Sequence, residues 1–268
     1  MSNTYQFLDS GNEKKLEQFG PYRLVRPAAA AVWKPSLPQS EWDRADGVFS
    51  REGKSKWRKS IKDEWQVEIS GIKLNLAATD FGHIGVFPEH QEVWNWSSKE
   101  IQQGDRVLNL FAYSGGATLA CAKAGAEVCH VDASKGMVDW ARENAALNSL
   151  ESAPIRWIVD DVMKFIKREV KRGRSYEGII LDPPSFGRGS QGQVFKIERD
   201  LPILLEMLSS FKPRFVALSC HTCAFTPLVL KRLLQDYFKG GTFEEGEMYL
   251  KGSDAYLPNG SYARWTRD

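Results

Sequence analysis

The chain has 268 residues, 42% of them apolar and 26% charged, a balance that excludes wholesale disorder and gives length for one large α/β domain plus a modest appendage. Thirty-six Lys and Arg against 34 Asp and Glu leave a net charge of +2, so overall charge selects no polyanionic partner and only local clusters bear on one. No apolar run approaches about 18 residues, which excludes a membrane span by length, and Met1-Ser-Asn-Thr-Tyr-Gln-Phe7 lacks the pattern of a secretory signal.

Up to about residue 100 the chain is irregular and rich in Trp, Pro and Gly. Strands are expected at Tyr22–Arg26, Trp65–Ile69 and Ile72–Ala77, the last two joined by a hairpin turn at Ser70-Gly71. Trp33, Trp42, Trp57, Trp65, Trp94 and Trp96 supply the bulk that a small β-rich core needs.

From Gly104 the pattern becomes regular. Apolar runs of strand length cover Arg106–Phe111, Glu127–Val131, Ile155–Val159, Gly178–Leu181 and Phe215–Ser219. Helical stretches lie between them, at Gly116–Lys123, Lys135–Leu147, Val162–Arg172, Phe195–Phe211 and Pro227–Phe238. In Lys135–Leu147, Met137, Val138, Ala141, Ala145 and Leu147 fall mainly on one face. Two closing strands are expected at Thr242–Tyr249 and Ser261–Thr266. The fold expected is a doubly wound, mostly parallel, seven-stranded Rossmann-like sheet in residues 101–268, with a β-rich substrate-recognition domain in residues 1–100.

Ligands of open α/β sheets sit outside the carboxyl ends of the strands, and chemistry-bearing residues recur there. The first strand runs into Leu110-Phe-Ala-Tyr-Ser-Gly-Gly-Ala-Thr118, where Gly115 and Gly116 allow a tight turn and close approach to a ligand. The following helix points its N-terminus at the same place. Asp132 ends the second strand, about twenty residues on, where a carboxylate accepts the hydroxyls of a ribose. Asp160 and Asp161 end the third, placed for an adenine amine or for helix capping. Asp182-Pro-Pro-Ser-Phe-Gly187 ends the fourth, a rigid loop suited to holding a planar group against Phe186. The glycine turn lacks both the G-x-G-x-x-G of dinucleotide enzymes and the Lys and Ser/Thr of a P-loop. Separate strand-end acids fit a nucleoside carrying an amino-acid carboxylate, which is S-adenosylmethionine.

Asn109-Leu-Phe-Ala-Tyr-Ser-Gly-Gly116, Val131-Asp-Ala-Ser-Lys135, Asn144-Ala-Ala-Leu-Asn148, Asp160-Asp-Val-Met-Lys-Phe165 and Asp182-Pro-Pro-Ser-Phe-Gly187 occur in that order. Together they resemble class I S-adenosylmethionine-dependent methyltransferases, and more narrowly the bacterial 23S ribosomal RNA enzymes that modify carbon 5 of cytosine or nitrogen 7 of guanine. The resemblance spans roughly residues 75–266 and includes Gly82–His90, but not the PUA module usual in that group. It implies a cofactor site of Phe111, Tyr113, Ser114, Gly115, Gly116, Asp132, Ala133, Ser134, Asp160, Asp161, Asp182 and Pro183. Within it Tyr113 to Gly116 surround the methionine part, Asp132 takes the ribose and Asp161 the adenine amine. Asp182 lies near the sulfonium and the incoming base, and Glu89 is a further candidate toward the cofactor.

Two chemistries compete. A nitrogen nucleophile needs Asp182 to accept amine hydrogens, with Phe186 stacked on the base. Carbon 5 of a pyrimidine needs a thiolate to attack carbon 6 first, and Cys220 is the candidate, with His221 to move a proton or lower the thiol pKa. A buried cysteine at a strand end is also simply packing. Cys220 and Cys223 form a lone Cys-x-x-Cys, and no metal site is expected without a second ligand pair. Cys121 and Cys129 read as core, His83 and His130 as structural. Four cysteines are too few for a disulfide scaffold, so the expected compartment is the cytoplasm.

Two basic clusters bear on RNA. Arg44, Arg51, Lys54, Lys56, Arg58, Lys59 and Lys62 interleave with Trp42, Phe49, Trp57 and Trp65, the ingredients of a single-stranded RNA platform. Lys164, Lys167, Arg168, Lys171, Arg172 and Arg174 lie on and after the third helix. The expectation is a methyltransferase of a nucleobase in RNA, ribosomal RNA favoured. The alternatives are a small-molecule or protein methyltransferase, and a non-catalytic RNA-binding protein on the same fold.

Overall fold

A computed structural model describes residues 4–50, 56–59, 61–188, 192, 194–253 and 256–268. The chain divides into two compact units, Met1–Gln91 with Tyr249–Asn259, and Glu92–Met248 with Gly260–Asp268.

In the first unit β1 (Tyr5–Gly11), β2 (Lys14–Phe19), β3 (Tyr22–Pro27), β4 (Gly47–Ser50) and β5 (Lys56–Lys59) form a five-stranded sheet in that order. Its pairs are antiparallel except β3 with β4. A short helix, α1 (Gln39–Trp42), precedes β4. The expected hairpin is β6 (Glu64–Ile69) and β7 (Ile72–Ala77), in register from Glu64 opposite Ala77 to Ile69 opposite Ile72. Beyond the three expected strands the structure adds β1, β2, β4 and β5. Lys15, Glu17 and Arg26 are buried, with Arg26 donating twice to Glu17 Oε2 at 2.9 and 2.6 Å and Tyr5 donating to Glu17 Oε1 at 3.1 Å. Burial would raise the Glu17 carboxyl, but Arg26 and Lys15 outweigh it and hold the group below its usual range.

The stacking-platform expectation for the first basic cluster fails on ring orientation. Trp42, Phe49 and Trp65 are buried, and Trp57 packs on Phe49 while donating Nε1–H to Thr79 O at 2.8 Å. Core formation claims these rings, because each apolar face gains more from burial than from water. Arg51 and Lys54 of that cluster lie outside the described residues.

The second unit begins at Glu92, the second residue of α2 (Gln91–Glu100). There follow β8 (Arg106–Leu110), α3 (Gly116–Lys123), β9 (Glu127–Asp132), α4 (Lys135–Leu147), β10 (Ile155–Val159), α5 (Val162–Lys171) and β11 (Gly178–Leu181). A short hairpin of β12 (Phe186–Arg188) and β13 (Val194–Lys196) leads to α6 (Ile197–Ser209), then β14 (Phe215–Cys220), α7 (Pro227–Tyr237), β15 (Thr242–Lys251) and β16 (Tyr256–Thr266). Val194–Lys196 are therefore strand, and the expected helix from Phe195 starts two residues later.

The sheet has seven strands in the order β10-β9-β8-β11-β14-β16-β15. Its first five strands are parallel and β16 runs antiparallel to β14. Alternate strand residues fill two cores. Leu108, Leu110, Val131, Leu181 and Leu218 pack against Phe165, Leu204 and Leu230 of α5, α6 and α7. Val107, Val128, Ile180 and Ala217 pack with Val93 of α2 and Cys121 of α3. Burial on both faces is what makes the strands read as unbroken apolar runs.

Candidate active site

Strand order reverses between β8 and β11: the chain winds outward through β9 and β10, then returns to the other side of β8. Leu110 is level with Val131 on one side and Leu181 on the other, and Leu181 with Leu218. Val159 lies beside Asp132. Phe111, Asp132, Asp160, Asp182 and Ser219 thus stand along one carboxyl rim, with the β8 and β11 loops flanking the switch point where such sheets bind ligands.

The loop after β8 is held in a demanding conformation. Phe111 and Tyr113 have φ of 56° and 51°, left-handed values unusual for side chains with a Cβ, and Gly115 has φ of 92°. Gly116 opens α3 against Trp94, whose ring a Cβ at this position would overlap. The N-cap residue of α3 is Gly115, which has no side chain to cap the first amides, so the helix start suits an acceptor from elsewhere.

Asp132 joins this loop to the next. Its Oδ2 accepts from Tyr113 N at 2.9 Å and its Oδ1 from Ser134 N at 2.9 Å. Burial raises its carboxyl above the ordinary value despite those two bonds. Ser134 caps α4 by accepting from Met137 N, and Ala133 lies half-buried between them. Asp161 caps α5 through Oδ1, which accepts from Lys164 N at 2.9 Å. Asp160 ion-pairs with Arg168 and also accepts from Asp161 N at 2.8 Å. Asp182 Oδ1 accepts from Ser219 Oγ–H at 2.8 Å; Pro183 is buried, and Phe186 is 49% exposed.

Cys220 fits this rim least well. Its side chain belongs to the core that holds Leu218 and Leu181, while Ser219 takes the side facing Asp182. Burial raises its thiol, and Thr222 N donates to Sγ at 3.3 Å. A nucleophilic cysteine needs the opposite shift. His221 is exposed, with a ring nitrogen within 4.8 Å of an Asp182 carboxylate oxygen. Glu89 lies in the first unit, buried and accepting from Asn259. A cavity of about 290 Å³ opens at the opposite, amino edge of the sheet beside Arg106, Arg156 and Tyr176. Those arginines are engaged by Glu177 and Glu169.

The model of the S-adenosylmethionine-dependent methyltransferases matches residues 49–227. The chain belongs to this family. A methyltransferase of the family from Agrobacterium tumefaciens, of known structure, is 37% identical, with a TM-score of 0.94 over 100% of this chain and 91% of that one. Ribosomal RNA large subunit methyltransferase K/L of Stutzerimonas stutzeri is 36% identical over 68% of this chain, and that of Pseudoalteromonas atlantica 33% over 58%. The chain spans only 24% and 22% of the length of these two proteins.

The rim suits the family's cofactor chemically. Two half-buried carboxylates, Asp132 and Asp161, are acceptors of the kind that hydroxyl and amine groups need, and the N-terminus of α3 is of the kind that suits a carboxylate. Among the described residues no helix is long and apolar enough to cross a membrane.

Proposed function

We propose that this methyltransferase modifies a nucleobase in RNA, ribosomal RNA first, and works in the cytoplasm. The observation that carries the reading is the loop after β11. It combines a carboxylate braced by Ser219, a buried proline and a half-exposed aromatic ring within five residues, at the sheet's switch point. Phe186 offers a face for a planar base, and Asp182 an acceptor for its polar edge.

Bound S-adenosylmethionine supplies an electrophilic methyl group on a sulfonium. The chain's own residues bind, orient and exclude water. Asp132 accepts ribose hydroxyls and Asp161 the adenine amine, while the turn from Tyr113 to Gly116 surrounds the methionine part. Phe111, Ala133, Ser134, Asp160 and Pro183 line the same rim. Asp182 accepts hydrogens from the target, which we read as a nitrogen rather than carbon 5, since Cys220 is buried with a raised thiol.

RNA as the substrate class is supported by the names of the K/L relatives and by Lys167, Lys171 and Arg174, exposed on and after α5. Residues 1–100 then serve substrate recognition and residues 101–268 catalysis. Mass-spectrometric comparison of modified nucleosides in ribosomal and transfer RNA, with and without the protein, tests the reading. Loss of one methylated base from ribosomal RNA is expected. Unchanged nucleosides in both RNAs would reject it in favour of a small-molecule or protein substrate.

A further inference from the structure

Beneath the glycine turn runs a chain of buried polar side chains that no part of the proposed chemistry uses. Asn109 of β8 donates Nδ2–H to Thr118 Oγ1 at 2.9 Å, and Thr118 Oγ1 lies 2.9 Å from His130 Nδ1 of β9. All three residues are buried. His130 Nε2 has no partner among the described residues, a cost that an apolar side chain of the same size avoids.

The geometry shows what this cost secures. Thr118 lies in the first turn of α3, two residues past Gly116. A Cβ on Gly115 would stand 3.8 Å from His130 Cε1 and 3.0 Å from Ala141 Cβ of α4, so the imidazole underlies the turn and α4 bounds its side. From α4, fully buried Asn144 donates Nδ2–H to Ser114 O at 2.9 Å. The same turn is therefore underlain by His130, which Thr118 holds by its hydroxyl, and is bonded from the side by Asn144.

We propose that Thr118, His130 and Asn144 are positioning residues that set the height and pitch of the Tyr113–Gly116 turn, and through it the affinity for the methionine end of the methyl donor. Because buried polar networks fix one geometry where apolar packing tolerates several, their loss loosens the turn without unmaking the sheet. This rests on the reading that the turn holds the cofactor. They act on donor binding in ground and transition state alike, so the effect falls on KM and not on kcat.

The test is calorimetric titration with S-adenosylhomocysteine and donor kinetics for Thr118→Val, Thr118→Ser and Asn144→Leu, with melting in the absence of ligand as control. Thr118→Val and Asn144→Leu are expected to weaken binding about tenfold and to raise the donor KM in proportion, with kcat within about twofold of wild type. Thr118→Ser, which keeps the hydroxyl, restores near-wild-type affinity. Should Thr118→Val not fold, Thr118→Ala, favourable to helix, takes its place. Folded hydroxyl-free and Asn144 variants that bind as tightly as wild type would overturn the proposal. A folded wild type that binds no S-adenosylhomocysteine would instead overturn the cofactor reading beneath it.

Discussion

Tyr113 gives its backbone N–H to Asp132 Oδ2 at 2.9 Å across 19 residues, so the loop after β8 is tied to the end of the neighbouring strand. The carboxylate is not there for stability alone. Burial holds its pKa above the ordinary value even with Tyr113 and Ser134 donating to it, so its charge is carried at a loss near neutral pH. Asp132→Asn removes that loss but sets an amide N–H against one backbone N–H. The two effects offset to within about 1 kcal/mol. Urea unfolding should find stability nearly unchanged while affinity for S-adenosylhomocysteine falls at least tenfold. A stability loss above about 3 kcal/mol, with affinity intact, would make Asp132 a fold element only.

His130 gives the protein an acid sensitivity of known sign. Burial, with Arg142 adding to it, lowers its pKa to about 3. The unfolded imidazole takes up a proton near 6.5 and the folded one only near 3, so protonation favours unfolding. The stability this group contributes is complete above about pH 6.5 and is lost progressively below it. Between pH 7 and 5 the loss is about 2 kcal/mol. Urea unfolding at the two pH values should show this difference in wild type and its absence in His130→Asn. Equal pH dependence in both proteins would place the titrating group elsewhere.

The buried Cys220 separates the two target chemistries. With its thiol raised by burial and its side chain in the core, Cys220→Ala should leave methyl transfer within about twofold of wild type. It should lower stability by about 1 kcal/mol through lost packing. A hundredfold fall in turnover, with S-adenosylhomocysteine affinity unchanged, would restore attack by the thiolate.

The parallel strands and their terminal acids were legible because sheets covered on both faces leave unbroken apolar runs, after which any Asp or Gly stands out. Asp132, Asp160 and Asp182 are visible this way. The β1–β2 hairpin was not, for two reasons. Lys15 and Glu17 of β2 and Arg26 of β3 are buried as a charge network, which erases the alternation of apolar and polar positions. The turn itself places Asn12 and Glu13 at φ of 50° and 58°, and Glu carries no turn signal there. The interleaved rings of Trp42, Phe49 and Trp65 misled because spacing does not say whether a ring faces a partner or its own core. The polar chain under the glycine turn was hidden as well. Asn109, Thr118 and His130 come from two strands and a helix, and only the fold brings them within 2.9 Å.

Titration of the folded wild type with S-adenosylhomocysteine in a calorimeter asks the most direct question. One saturable site per chain, weakened at least tenfold by Asp132→Ala, is the result expected of a methyltransferase that grips its donor along this edge. A flat thermogram from well-folded protein, or binding indifferent to Asp132, would contradict it.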